Sequence, residues 1–354
     1  MVFDLNSLVR ENIRELVPYS SARSEFSHDA RIFLDANENA FGSPLPADYS
    51  RYPDPLQKTV KKRIAALNNV RPSQIFLGNG SDEAIDILFR IFCRPGQDSA
   101  VICPPTYGMY EVAANINSVD VIRADLTDAF QLDLTAVKEG VRDDTKLIFL
   151  CSPNNPTGNL LDRDSIIELL REFNGIVVVD EAYVQFSRQL SWTASIAAYP
   201  NLVVLQTFSK AWGMAGLRVG IAFANEQVID LFNKVKPPYN VSASAQRLVL
   251  DALDRRGQVE QTVEHIRTER SGLERWLSGR RAVQKVYPSD ANFLLVKVKN
   301  VELLYRSLIE QGIVVRNRSS IAQCGGCLRI TIGTPEENQA LRDAVEAYET
   351  NSIY

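Results

Sequence analysis

The chain has 354 residues, 45% apolar and 23% charged, with a formal net charge of −4. That length allows a large core and two domains, and the composition is ordinary for a globular protein. The acidic balance argues against a nucleic-acid surface, and no apolar run approaches the roughly 18 residues of a membrane span.

The first 45 residues carry Pro18, Asn37, Asn39, Gly42 and Pro44 and read as a loosely structured arm. From about residue 75, short apolar runs alternate with helical patterns. The runs predict strands over 75–78, 99–103, 119–123, 146–151, 176–180, 202–206 and 219–224. Strands alternating with helices imply an α/β fold with a mainly parallel sheet. One helix opens at Ser81-Asp82-Glu83, with Ser81 as N-cap and Ile85, Leu88, Phe89 and Phe92 as its inner face. Another follows Asp162 and buries Ile166, Leu169, Leu170 and Phe173. The character changes near Lys236-Pro237-Pro238-Tyr239. A long helical stretch follows, then strands over 293–298 and 327–332, which reads as a smaller α+β domain. The last helix begins with a capping box: Thr334 as N-cap, Pro335 at the first turn and Glu337 reaching back. Its apolar stripe is Leu341, Ala344, Val345 and Tyr348. The expected division is an arm over 1–45, a large domain over 46–245 and a small domain over 246–354.

The first turns carry Asp4 and Glu11 and lack the apolar core of a secretory signal, so a cytoplasmic location is the default expectation. Five cysteines, an odd count, point to reduced thiols. Cys324-Gly325-Gly326-Cys327 has CxxC spacing but no second ligand pair, so a Gly-rich turn is expected and no metal site. The histidines are His28 and His265, neither in a motif. Acid–base chemistry therefore falls to Lys, Tyr or a carboxylate.

The strongest chemical signal is Ser209-Lys210 at the end of an apolar strand, followed by a Gly-rich turn and Arg218. A lysine in such a place is desolvated, which favours its neutral, nucleophilic form. Ser209 and Arg218 can both hold an anion. Alone, Lys210 would read as a surface lysine in a loop. It does not stand alone. Ser152-Pro153-Asn154-Asn155-Pro156-Thr157-Gly158 follows one strand, and Asp180-Glu181-Ala182-Tyr183 ends the next. Parallel strands place these ends side by side, on the edge where ligands bind. An aspartate after four apolar strand residues is costly to bury without a cationic or donor partner.

These three motifs, in this order and spacing, resemble the fold-type-I pyridoxal-phosphate (PLP) aminotransferases. The resemblance extends over most of the chain. It implies that Lys210 bonds to pyridoxal 5'-phosphate and moves the proton at the substrate Cα. Asp180 would pair with the pyridine nitrogen, and Asn155 and Tyr183 would bond the ring oxygen. Tyr107 would stack on the ring, with core packing as its alternative. Gly78-Asn79-Gly80-Ser81-Asp82 opens a helix whose free N–H groups at Ser81 and Asp82 suit the cofactor phosphate, together with Ser209 and Arg218. Tyr52 matches a tyrosine that the family lends from a neighbouring subunit, which implies a homodimer.

Within the family, three features resemble the histidinol-phosphate aminotransferases: the arm, in its stretches Val9 to Tyr19 and Leu34 to Asn39; Gly312 to Arg318; and Gly326 to Gly333. This implies L-histidinol phosphate and glutamate/2-oxoglutarate as substrates. Arg329 would grip the glutamate α-carboxylate. Arg316 and Tyr19 would join it on the substrate phosphate, with Asn155 nearby. Arg318 is expected in a solvated loop. The alternatives are an aromatic or broad-specificity aminotransferase, a threonine-phosphate decarboxylase, and a PLP-fold ligand sensor. The sensor is disfavoured, because only about 45 residues precede the large domain and the charge is acidic.

Overall fold

The computed structural model describes residues 3–19, 32–45 and 49–351. His28 lies outside them. The chain begins with helices α1 (Leu5–Leu8), α2 (Glu11–Arg14) and α3 (Lys58–Asn68). Then follow β1 (Ile75–Asn79), α4 (Ser81–Phe92), β2 (Ser99–Ile102), α5 (Met109–Ile116), β3 (Asp120–Arg123), α6 (Leu134–Gly140) and β4 (Thr145–Cys151). Next are α7 (Arg163–Glu172), β5 (Ile176–Asp180), β6 (Leu202–Thr207), β7 (Val219–Ala224), α8 (Glu226–Val235) and α9 (Ala243–Leu253). The remainder is α10 (Arg256–Ser278), β8 (Val283–Val286), β9 (Phe293–Val298), α11 (Val301–Glu310), β10 (Arg316–Asn317), β11 (Cys327–Thr331) and α12 (Pro335–Asn351).

The seven strands expected from the sequence form one sheet, in the order β1-β7-β6-β5-β4-β2-β3. Strands β6, β5, β4, β2 and β3 run parallel, and β7 runs against both its neighbours. Strands β4 to β7 are apolar on both faces and wholly buried apart from Lys146, as helices on both sides require. One apolar cluster lies on each face. A second, antiparallel sheet has the order β10-β11-β9-β8. Its β8 has four residues and β10 two, Arg-Asn, too short for an apolar pattern to reveal them.

Helix ends follow the sequence closely. Asp162 caps α7, accepting from Ser165 N–H at 2.8 Å. The α12 box forms as expected: Thr334 N–H donates to Glu337 Oε2 at 2.8 Å, and Glu337 N–H to Thr334 Oγ at 3.3 Å. The cap of α4 is shifted by one residue. Gly80, at φ +80, is the N-cap, and Ser81 is the first helical residue. A left-handed φ there suits glycine and not serine.

The start of the arm, over residues 5–14, packs more closely than its composition implies. Leu8, Val9 and Ile13 are buried against the cluster that holds α4 and α8. Arg10 N–H donates to the Ile91 carbonyl at 3.1 Å, which ties the arm to the end of α4. Among the described residues no helix is long and apolar enough to cross a membrane.

Candidate active site

Strands β4, β5 and β6 end together. Cys151 stands opposite Asp180, and Asp180 opposite Leu205. The turns that follow carry Asn155, Tyr183, Ser209 and Lys210 over this edge. A cavity of about 770 Å³ opens there. The edge of the first sheet forms one side, and Arg316, Arg318 and Arg329 from the second sheet form another.

Asp180 is 3% exposed. Its Oδ2 accepts the Tyr110 hydroxyl at 2.7 Å and its Oδ1 accepts Ala182 N–H at 3.0 Å. Burial pushes its pKa up to about 6, although both hydrogen bonds oppose the rise. Tyr110 was not foreseen from sequence. It sits three residues after Tyr107, one helical turn on, and is fully buried. The two rings meet edge to face at 5.6 Å.

Lys210 lies in the turn after β6 and opens onto the cavity. Burial, then Arg329, lower its pKa, and Asp180 opposes them. Its Nζ lies 5.6 Å from the centre of the Tyr183 ring. Tyr183 is buried and packs edge-on against Phe293 at 5.2 Å. Asn155 Oδ1 accepts from Arg329 Nη1, so the two sheets touch across the site.

An anion cradle forms where β1 turns into α4. This helix has 12 residues, and Ser81 and Asp82 open it with backbone N–H groups that lack partners in the helix. Arg218 reaches the same point, with Nη2 3.5 Å from Asp82 Oδ2. A Cβ on Gly80 would sit 2.8 Å from Arg218 Nη2, so glycine keeps the cradle open. Ser209 lines it from the Lys210 turn. The Tyr107 hydroxyl donates to Asp82 Oδ1 at 3.1 Å. These groups fit a phosphate monoester. With Lys210 and Asp180 they fit pyridoxal phosphate, which offers an aldehyde to the lysine and a basic ring nitrogen to the buried acid.

Of the residues singled out from sequence, Ser81, Asp82, Tyr107, Asn155, Asp180, Tyr183, Ser209, Lys210, Arg218, Arg316 and Arg329 all line this one cavity. Tyr19 does not. It follows α2 on the arm, 78% exposed, and is absent from the cavity wall of its own chain. Tyr52 also lies outside that wall, half exposed and stacked on Tyr239 at 4.5 Å. Arg318 departs from expectation. It is partly buried and lines the cavity, because the ladder beside β11 carries it inward. The Cys324–Cys327 segment forms the expected turn, Cys327 N–H donating to the Cys324 carbonyl at 3.0 Å.

Residues 43–345 match the model of the family described as aminotransferase class I and II. A histidinol-phosphate aminotransferase from Parabacteroides distasonis is 54% identical over 97% of this chain and 98% of its own. The corresponding enzyme of Cytophaga hutchinsonii is 49% identical over 98% of this chain and its own full length. The crystal structure of the Clostridium acetobutylicum histidinol-phosphate aminotransferase has the same fold. Its TM-score is 0.80 at 24% identity, over 86% of this chain and 92% of that one. The chain belongs to the class I and II aminotransferases, in the branch formed by the histidinol-phosphate aminotransferases.

Proposed function

We propose that the protein is a PLP-dependent aminotransferase that moves an amino group between L-histidinol phosphate and 2-oxoglutarate, in histidine biosynthesis. The observation that carries this reading is an opposition across one cavity. Lys210 and Asp180 stand on the sheet edge, facing an arginine cluster with no acidic partner among the described residues. Relatives named for this enzyme, alike over nearly the whole chain, support the same substrate.

When bound, the cofactor supplies an electron sink for the pair left on the substrate Cα. Lys210 holds it, and its amine, once freed, moves the proton at that carbon. Burial and Arg329 keep this amine less basic than an ordinary lysine, so more of it is neutral and able to accept a proton. Asp180 would face the ring nitrogen and keep its proton in place. A cationic N–H there relieves the cost of burying the carboxylate. Asn155 and Tyr183 would donate to the ring oxygen, and Tyr107 would cover one ring face. Ser81, Asp82, Ser209 and Arg218 would hold the cofactor phosphate.

Arg329 would grip the α-carboxylate of glutamate, and Arg316 would join it on the phosphate of L-histidinol phosphate. Both substrates use one cavity in turn. Glutamate leaves as 2-oxoglutarate, then imidazole-acetol phosphate receives the amino group, and every step is reversible. We read the protein as a homodimer in which Tyr52 of one copy serves the site of the other. Its exposure outside its own cavity suits that role. Tyr19 would serve the substrate phosphate from the arm after assembly or closure. The five unpaired, buried cysteines suit a reducing, cytoplasmic compartment.

A substrate panel tests this. Amino transfer from L-histidinol phosphate to 2-oxoglutarate should exceed that from phenylalanine or tyrosine at least tenfold in kcat/KM. Comparable values would make the protein a broad aromatic aminotransferase. CO₂ release from phosphothreonine without transfer would make it a decarboxylase. Lys210→Ala should abolish turnover together with the absorbance of lysine-bound cofactor; retention of either sinks the assignment.

A further inference from the structure

Beside Arg316 and Arg329 stands a third guanidinium. We propose that Arg318 is a specificity-determining residue that binds the substrate's phosphate monoester and contributes little to binding a carboxylate. This rests on the reading above, in which one cavity takes a phosphate monoester and a dicarboxylate in turn.

Strand geometry places it. Side chains alternate along a strand, so residues two apart share a face. Strand β10 holds Arg316 and Asn317, and the ladder continues one residue further, where Arg318 N–H donates to the Cys327 carbonyl at 2.9 Å. Arg316 and Arg318 therefore share a face. Arg316 lies directly opposite Arg329 on β11, which adds the third cation to it. All three line the cavity. Asn317, between them, turns away and donates to Glu302 Oε1 on α11 at 2.8 Å.

This arrangement costs stability in the absence of an anion. Like charges facing each other across a ladder repel. None of the three has a carboxylate partner among the described residues. The Nε atoms of Arg318 and Arg329 are buried without a hydrogen-bond partner. Buried donors without acceptors are costly, and a bound anion would satisfy them. The guanidiniums also feel one another: burial, then Arg316, lower the pKa of Arg318, and burial, then Arg318, lower that of Arg329.

The anion's chemistry decides which donors it needs. The α-carboxylate of glutamate, which shares Arg329 with the phosphate, has two oxygens, and one guanidinium fork satisfies it. A phosphate monoester has three terminal oxygens and a charge of about −1.5 to −2 at pH 7. Arg329 already donates one Nη1–H to Asn155. The third oxygen and the second charge call for further donors, and Arg318 supplies them beside Arg316.

The test compares wild-type, Arg318→Gln and Arg318→Lys holoenzymes in each half-reaction, followed by cofactor absorbance. L-histidinol phosphate and glutamate are the substrates, and inorganic phosphate is the inhibitor of the glutamate half-reaction. R318Q should raise KM for L-histidinol phosphate and Ki for phosphate at least tenfold. Its kcat and its KM for glutamate should stay within threefold, and R318K should recover part of the loss. Equal weakening of both substrates, or unchanged phosphate inhibition, overturns the proposal. Failure of the wild-type enzyme to use L-histidinol phosphate would instead overturn the functional reading. The phosphate-inhibition arm would still decide the role of Arg318.

Discussion

The Tyr110 hydroxyl donates to Asp180 Oδ2 at 2.7 Å, and both side chains are buried. This bond holds down a pKa that burial raises to about 6. Tyr110→Phe removes the donor, so the Asp180 pKa should rise further. The ionised form then becomes scarcer near neutrality. Cofactor affinity should fall several-fold, and the acid limb of its pH profile should move to higher pH. Titrating cofactor into the variant from pH 5 to 8 checks this. A superimposable profile would mean that Tyr110 only packs.

Glu181, next to Asp180, has a different task. It is 1% exposed and does not line the cavity. It accepts from Ser191 Oγ, from Trp192 N–H at 2.8 Å and from Gln206 Nε2 at 3.0 Å. Burial pushes its pKa up from 4.5 to about 7. The folded state therefore binds this proton more tightly than the unfolded chain. Its contribution to stability is full below about pH 4.5 and is lost as pH rises through about 7. Urea midpoints of the cofactor-free protein should thus decline from pH 5 to 8, and Glu181→Gln should flatten that decline. An equal slope in the variant would assign it to other groups.

Gly220 is the tightest backbone approach at the site. On β7 it faces Gly78, and a Cβ there would fall 2.1 Å from Ser81 N and 2.2 Å from Gly80 C. Backbone cannot give way as a side chain can. Gly220→Ala should cost about 1–3 kcal/mol or more and displace the start of α4. Thermal melting and cofactor affinity should therefore fall together. Loss of stability with unchanged affinity would separate Gly220 from the phosphate cradle.

Tyr52 offers a test of assembly. Lys210→Ala and Tyr52→Ala proteins should each be impaired alone. If Tyr52 serves the neighbouring site, mixed dimers regain one intact site of two. An equal mixture should then recover about a quarter of wild-type activity. No recovery after verified subunit exchange would place Tyr52 with its own chain.

The first sheet was legible because its central strands hold continuous apolar runs, as at 176–179 and 202–205. Lys210, Asp180 and Asn155 were legible because each stands at the end of such a strand or within four residues of it. What escaped notice depends on pairing across the fold. β10 has two residues and no apolar pattern, so nothing local shows that Arg318 continues a ladder and turns inward. Tyr110 carries a signal, its place on the amphipathic helix α5 three residues after Tyr107, but its acceptor lies 70 residues away. The α4 cap moved by one residue because the left-handed turn falls on Gly80 and not on Ser81.

The contact between Arg329 and Asn155 joins a strand of the second sheet to the turn that follows β4 of the first. One sheet edge bears the lysine and the acid; the hairpin of β10 and β11 bears the cations. On the reading proposed above, reaction type rests on residues between 155 and 218 and substrate choice on residues between 316 and 329, two separate parts of the chain. On that reading, a transplant of residues 316–331 from an aminotransferase with a different substrate should change substrate preference and leave Lys210 and Asp180 in place. The loop within that stretch is anchored by Gln323 Nε2 on the Leu126 carbonyl at 2.7 Å, and Cys324 and Cys327 sit in the apolar cluster of the first sheet. A successful graft would have to carry those anchors along with its arginines.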